Sequence, residues 1–151
     1  MTKLICILLG FSVGIWVYLI MKHQVNYPEY GWYKDYYREL NKKCKHFFKI
    51  CKSLKTIKSL ISKTEKNIQL YDFLSPRREK FQENLVKLEE KYTDLEIRYD
   101  CATEELDRMF AQHLYEVMDA TNGLNIKMLK IQDLYWVYEH YKKEYMKEVK
   151  V

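Results

Sequence analysis

Residues 81–109 read FQENLVKLEEKYTDLEIRYDCATEELDRM. Phe81, Leu85, Leu88, Tyr92, Leu95, Tyr99, Ala102, Leu106 and Met109 follow one another in alternating steps of four and three without a miss. On a helix this rhythm lays the apolar side chains along one narrow stripe, and sustained over four heptads it is the seam of a coiled coil. The stretch therefore predicts a long helix that must cover its stripe with another helix.

Punctuation on either side sets the boundaries. In FLSPRR, residues 73–78, Ser75 stands where an N-cap belongs and Pro76 takes the first helical position, where its missing N–H costs nothing. In ATNGLN, residues 120–125, Asn122 and Gly123 suit a left-handed helix end. Pro28 closes a link at 24–28. Helices are thus expected over 29–73, 76–120 and 125–149, within a helical domain of residues 29–151. With four Gly and two Pro in 151 residues, little else can break them. The first helix carries Tyr33, Tyr37, Leu40, Cys44, Phe47, Cys51 and Leu54 in the same rhythm, then slips to Ile57, Ile61, Thr64 and Ile68. The third carries Ile131, Tyr135, Tyr138 and Tyr145, with Lys142 interrupting.

Charge selects the pairing. Nine lysines and a single acid, Glu65, lie between Lys42 and Lys66, whereas residues 76–120 hold seven basic and twelve acidic side chains. Folding back at 74–75 sets residue i of the first helix opposite about 150 − i of the second, so the lysine block faces acids such as Glu89, Glu96 and Glu105. Opposite charges flanking an apolar seam favour that antiparallel pair over self-pairing. The third helix then runs back along the hairpin.

Upstream, residues 4–21, LICILLGFSVGIWVYLIM, carry no charge and are bracketed by Lys3 and Lys22. Eighteen residues at about 1.5 Å each approach the ~30 Å hydrocarbon core of a bilayer. A cleaved export signal has a shorter apolar region and a small-x-small cleavage site, and neither fits here. Residues 1–23 are read as an uncleaved signal-anchor, a single transmembrane helix. The cations flanking it differ too little to set its orientation. Gly10 and Gly14, with Ser12 between them, form a small-x-x-x-small face for helix packing in the membrane, and so for a homo-oligomer. The expected fold is all-α: an N-terminal transmembrane helix, then an antiparallel coiled-coil hairpin extended to a three-helix bundle.

Sites of chemistry are sparse. The chain has no H-E-x-x-H, no glycine-rich phosphate loop and no G-x-S-x-G, and its four cysteines lack C-x-x-C spacing, so no metal, cofactor or enzymatic activity is expected. Cys44 and Cys51 are too far apart along one helix to bond to each other. The hairpin register places Cys101 between them, so Cys51 and Cys101 are the candidate disulfide. Two clusters of tyrosine, at 27–37 and 135–145, suit core filling where three helices meet, or a binding flank.

The function this supports is a single-pass, membrane-anchored tether or scaffold that recognises protein partners through its helices. Two alternatives stand beside it. One is an anionic-lipid or nucleic-acid binder acting through the lysine-rich helix at 42–66, with nucleic acid the less favoured partner. The other comes from layout: a short N-terminal anchor and a long helical part broken by a hinge. In this the chain resembles the inner-membrane spanins of bacteriophages. The resemblance implies a periplasmic helical part that links the inner to the outer membrane during lysis.

Overall fold

A computed structural model describes residues 14–19, 32–113 and 126–149, with side chains at 14–19, 32–113 and 129–148. The fold is all-α. Helix α1 runs Tyr33–Gln69, α2 runs Pro76–Gln112 and α3 runs Ile126–Val149. Residues 14–19 form a further short helical stretch. Among the described residues no helix is long and apolar enough to cross a membrane. Apart from 14–19, the expected anchor at 1–23 lies outside the described residues, together with the link at 24–28 and the helix end at Asn122–Gly123.

Helix α1 stops at Gln69, four residues short of the expected 73. Its last turn tightens, with Leu70 N–H donating to the Asn67 carbonyl at 3.2 Å and Tyr71 N–H to the Ile68 carbonyl at 3.4 Å. Ser75 is extended (φ −76°, ψ 128°) and its carbonyl accepts from Arg78 N–H at 3.0 Å, so α2 begins at Pro76. At the far end, α2 closes at Gln112, with His113 as its C-cap.

Named contacts fix the arrangement. Trp32 stacks on His113 at 3.6 Å, Tyr36 OH donates to the Met109 carbonyl at 2.6 Å, Phe47 packs on Tyr99 at 5.3 Å, and Tyr71 stacks on Phe81 at 5.7 Å. Helices α1 and α2 are therefore antiparallel, with one end (the base) at Trp32 and His113 and the other (the tip) at the turn 70–75. Against them, Tyr135 packs on Phe110, Tyr138 on Phe47, Tyr141 on Phe48 and Tyr145 on Tyr99. So α3 runs parallel to α1 and antiparallel to α2, starting near the base and ending where Glu148 meets Lys55 and Lys58.

The core follows from this geometry. Leu40, Cys44, Phe47, Leu54, Leu106, Ile131 and Tyr138 are fully buried. Ile50 and Phe110 are buried too, although neither lies on the four-three stripe. Phe110 packs on Tyr135 and Tyr138 and belongs to a second apolar strip, which a helix with two neighbours needs and a helix with one does not, whereas Ile50 stands in steps of four and three with Leu54, Ile57 and Ile61. Beyond the end of α3 the strip that Phe110 begins turns polar, at Glu89 and Gln82 on α2. There the hairpin is two helices thick, and Phe81, Leu85 and Leu88 are only half-buried.

Candidate functional site

Three features could carry function: the junction where α3 docks, the cationic strip on α1, and the tip. At the junction, Asp107 is the polar hub. One of its oxygens accepts from Tyr138 OH at 2.6 Å, and Lys142 Nζ donates to both oxygens at 2.9 Å. The Lys142 ammonium also sits 5.4 Å from the centre of the Tyr138 ring. Lys142, which breaks the apolar rhythm of its helix, thus reaches across to α2 and holds α3 in place. Burial first, then the neighbouring Asp107 carboxylate, raises Tyr138 above its usual pKa. Burial likewise raises Tyr99 and Tyr145, with nearby anionic groups adding to it. All three hydroxyls stay protonated at neutral pH, and those of Tyr138 and Tyr145 serve as donors, to Asp107 and Glu96.

The cysteines lie apart from one another in role. Burial pushes the thiols of Cys44 and Cys51 up to about 12, so neither supplies a thiolate nucleophile near neutrality. The Cys51–Cys101 disulfide is not formed: both residues are free, and Cys101 is exposed. Cys101 falls between the seam positions Tyr99 and Ala102, so its side chain points away from α1.

Charge matching across the hairpin is thinner than the composition suggests. Lys43 meets Glu105 at 2.6 Å. Arg38, Lys42, Lys45, Lys49 and Lys52, however, recur in steps of four and three on the outer face of α1, all exposed. Among the described residues no ion pair joins this strip to α2. Four acids of α2 are engaged elsewhere. Asp94 pairs with Arg98 and Glu104 with Arg108 on the same helix, while Asp107 and Glu96 turn to α3.

Of the expected seam, Tyr99 and Leu106 are buried, Tyr92, Leu95 and Met109 pack partly buried against the core, and Phe81, Leu85 and Leu88 line the thinner half. Of the expected membrane-packing residues, Gly10 and Ser12 lie outside the described residues. Gly14 is described, and a Cβ added there would meet nothing within 4 Å. Asp107 and Phe110 are functional to the docking of α3 but lie off the seam, and their signal is local: Phe110 stands one turn beyond Leu106. Two shallow depressions, of about 240 and 290 Å³, are lined mainly by charged side chains including Lys52, Glu144, Lys42 and Glu105. No group of three His, Cys, Asp or Glu placed to hold a metal ion occurs among the described residues.

Comparison with known proteins yields no matching family model, no matching curated protein and no matching solved structure.

Proposed function

We propose that the chain is a membrane-anchored coiled-coil tether or scaffold whose helices contact protein partners. One observation carries the reading: an uncharged apolar run at 4–21 precedes a paired-helix rod. Helices of 37 residues rising 1.5 Å per residue give that rod a length of about 55 Å. Its described polar side chains, Asp107, Tyr138 and Lys142 above all, hold helices to one another. The anchor is tested by alkaline carbonate extraction of membranes from cells expressing the full chain. The chain is expected to stay in the pellet, and a chain lacking residues 4–21 to be released. Release of the full chain would refute the anchor.

A second reading is favoured by the cationic strip, which is left without acidic partners from α2: binding to a polyanion through Arg38, Lys42, Lys45, Lys49 and Lys52. It calls for affinity that falls steeply with salt, by about 0.9 in log–log slope for each phosphate contacted. A salt-independent affinity for duplex nucleic acid, or none at low salt, rejects it. The spanin-like reading needs the helical part outside the inner membrane. Exposed Cys101 would then react with an impermeant thiol reagent in intact cells, and reaction only after lysis would reject it.

A further inference from the structure

The turn that joins α1 to α2 exposes what a water-facing turn normally hides. Leu70 is 79% exposed, Phe73 81% and Leu74 91%. These are the most exposed large apolar side chains described, and they stand together at the end of the rod. The turn also holds them there. Tyr71 faces inward and stacks on Phe81 at 5.7 Å, and Arg78 donates from Nη1 to the Tyr71 carbonyl at 3.2 Å. The same guanidinium lies 5.3 Å from the centre of the Phe73 ring. Ser75 N–H donates to the Asp72 carbonyl at 3.0 Å and closes the turn.

We infer that this tip enters the surface of an anionic lipid bilayer. Shape favours lipid over a protein pocket. The three side chains project from the turn that ends the rod, and such a group enters a fluid interface without a shaped receptor. Depth and charge agree. Apolar groups of peripheral elements sink about 5–10 Å, to the boundary between headgroups and acyl chains, with cations left at headgroup level. Here Lys63, Lys66, Arg77, Arg78 and Lys80 stand within the adjoining turns of helix, against Glu65, Asp72 and Glu79. Outside the tip, the exposed apolar residues of the thinner half, Leu60 and Val86, are single. The inference rests on the tether reading for its setting. With the chain anchored beyond the base, the tip stands about 55 Å away and meets a second bilayer.

The test uses the full chain reconstituted into neutral phosphatidylcholine vesicles. Protein-free fluorescent acceptor vesicles, with or without phosphatidylglycerol, are then added. Flotation reports whether the chain resides in its own vesicles, and co-flotation of fluorescence reports capture of the second. Wild type is expected to capture acceptors containing phosphatidylglycerol and to leave neutral ones. The double variant Phe73→Ser, Leu74→Ser is expected to lose capture at least about tenfold, since burying even one such side chain is worth that much. Arg77→Glu should weaken capture, and Val86→Ser should leave it unchanged. Because Phe73, Leu74, Arg77 and Val86 are exposed, the fold is retained in each, as circular dichroism checks. Resident chain that captures nothing overturns the inference, as does capture by the Phe73/Leu74 variant equal to wild type or capture indifferent to lipid charge. If the chain does not float with its own vesicles, the tether reading fails instead. The same variants are then scored by direct binding of the unanchored chain to the anionic vesicles, where equal binding overturns the inference.

Discussion

Tyr99 and Tyr138 sit in the same aromatic core, and removing the hydroxyl from each should move stability in opposite directions. Both rings are buried, and both pack on Phe47, at 5.3 and 5.1 Å. Replacement by phenylalanine keeps these contacts, so the hydroxyl is what changes. That of Tyr138 donates to the Asp107 carboxylate at 2.6 Å. A hydrogen bond to a charged group contributes about 1.5–3 kcal/mol. Asp107 is half exposed and keeps Lys142, so water replaces part of the loss, and Tyr138→Phe should cost about 1–2 kcal/mol. The hydroxyl of Tyr99 is buried without a hydrogen-bond partner in the structure. Leaving such a group unsatisfied costs about 1–3 kcal/mol, so Tyr99→Phe should stabilise by about 1 kcal/mol. Equilibrium denaturation followed by far-ultraviolet circular dichroism measures both. A Tyr138→Phe chain as stable as wild type, or a Tyr99→Phe chain destabilised as much as Tyr138→Phe, would refute the assignment of these hydroxyls.

Other outcomes follow from the same core. Phe47→Ala removes a fully buried ring and should cost about 3–5 kcal/mol, visible as a large fall in thermal midpoint. A fall as small as that of an exposed substitution would place Phe47 at the surface. Stability should also decline in alkali. Burial holds Cys44, Cys51 and Tyr33 protonated to about 12, above ordinary values of about 9 for the thiols and 10 for the phenol. Their folded pKa values are raised, so this contribution is complete below about pH 9 and is lost as the pH climbs towards 12. The tyrosinate absorbance of the buried tyrosines should therefore rise only with the loss of helix, whereas complete ionisation with the helices intact would contradict it. An impermeant maleimide should label Cys101 fastest in the native chain, half-buried Cys51 more slowly, and Cys44 only once denaturant is added. Equal labelling of all three would contradict their burial.

Much of the helical layout is legible because the seam repeats. Steps of four and three run from Phe81 to Met109, and punctuation at Ser75–Pro76 gives the start of α2 to the residue. The register is readable as well: Lys43 opposite Glu105 lies close to the expected 150 − i. What escapes a one-dimensional reading is direction around the helix. Counting lysines between 42 and 66 suggests a charge lock with α2, yet Arg38, Lys42, Lys45, Lys49 and Lys52 share the outer face and, among the described residues, form no ion pair with those acids. Cys101 is near in register to Cys51 but sits on the wrong side of α2. Lys142 reads as an interruption until Asp107 is seen opposite it. Phe110 lies off the seam because it answers to a helix whose position depends on the fold of the other two. The tip escapes for another reason. Leu70, Phe73 and Leu74 look like ordinary core candidates, and only the inward turn of Tyr71 shows which aromatic of the turn is used.

The partial reach of α3 has a mechanical consequence. A rod three helices thick near Trp32 and His113, and two thick near Phe81, has no single stiffness. Its resistance to bending and to local opening is graded along its length. Amide hydrogens around Leu106 and Phe47 should exchange only with global unfolding, while those flanking residues 70–75 exchange through smaller openings. Pulled from its two ends, such an element yields from the thin end first and keeps its thick end folded, which lets it absorb movement at the far contact without transmitting it to the base.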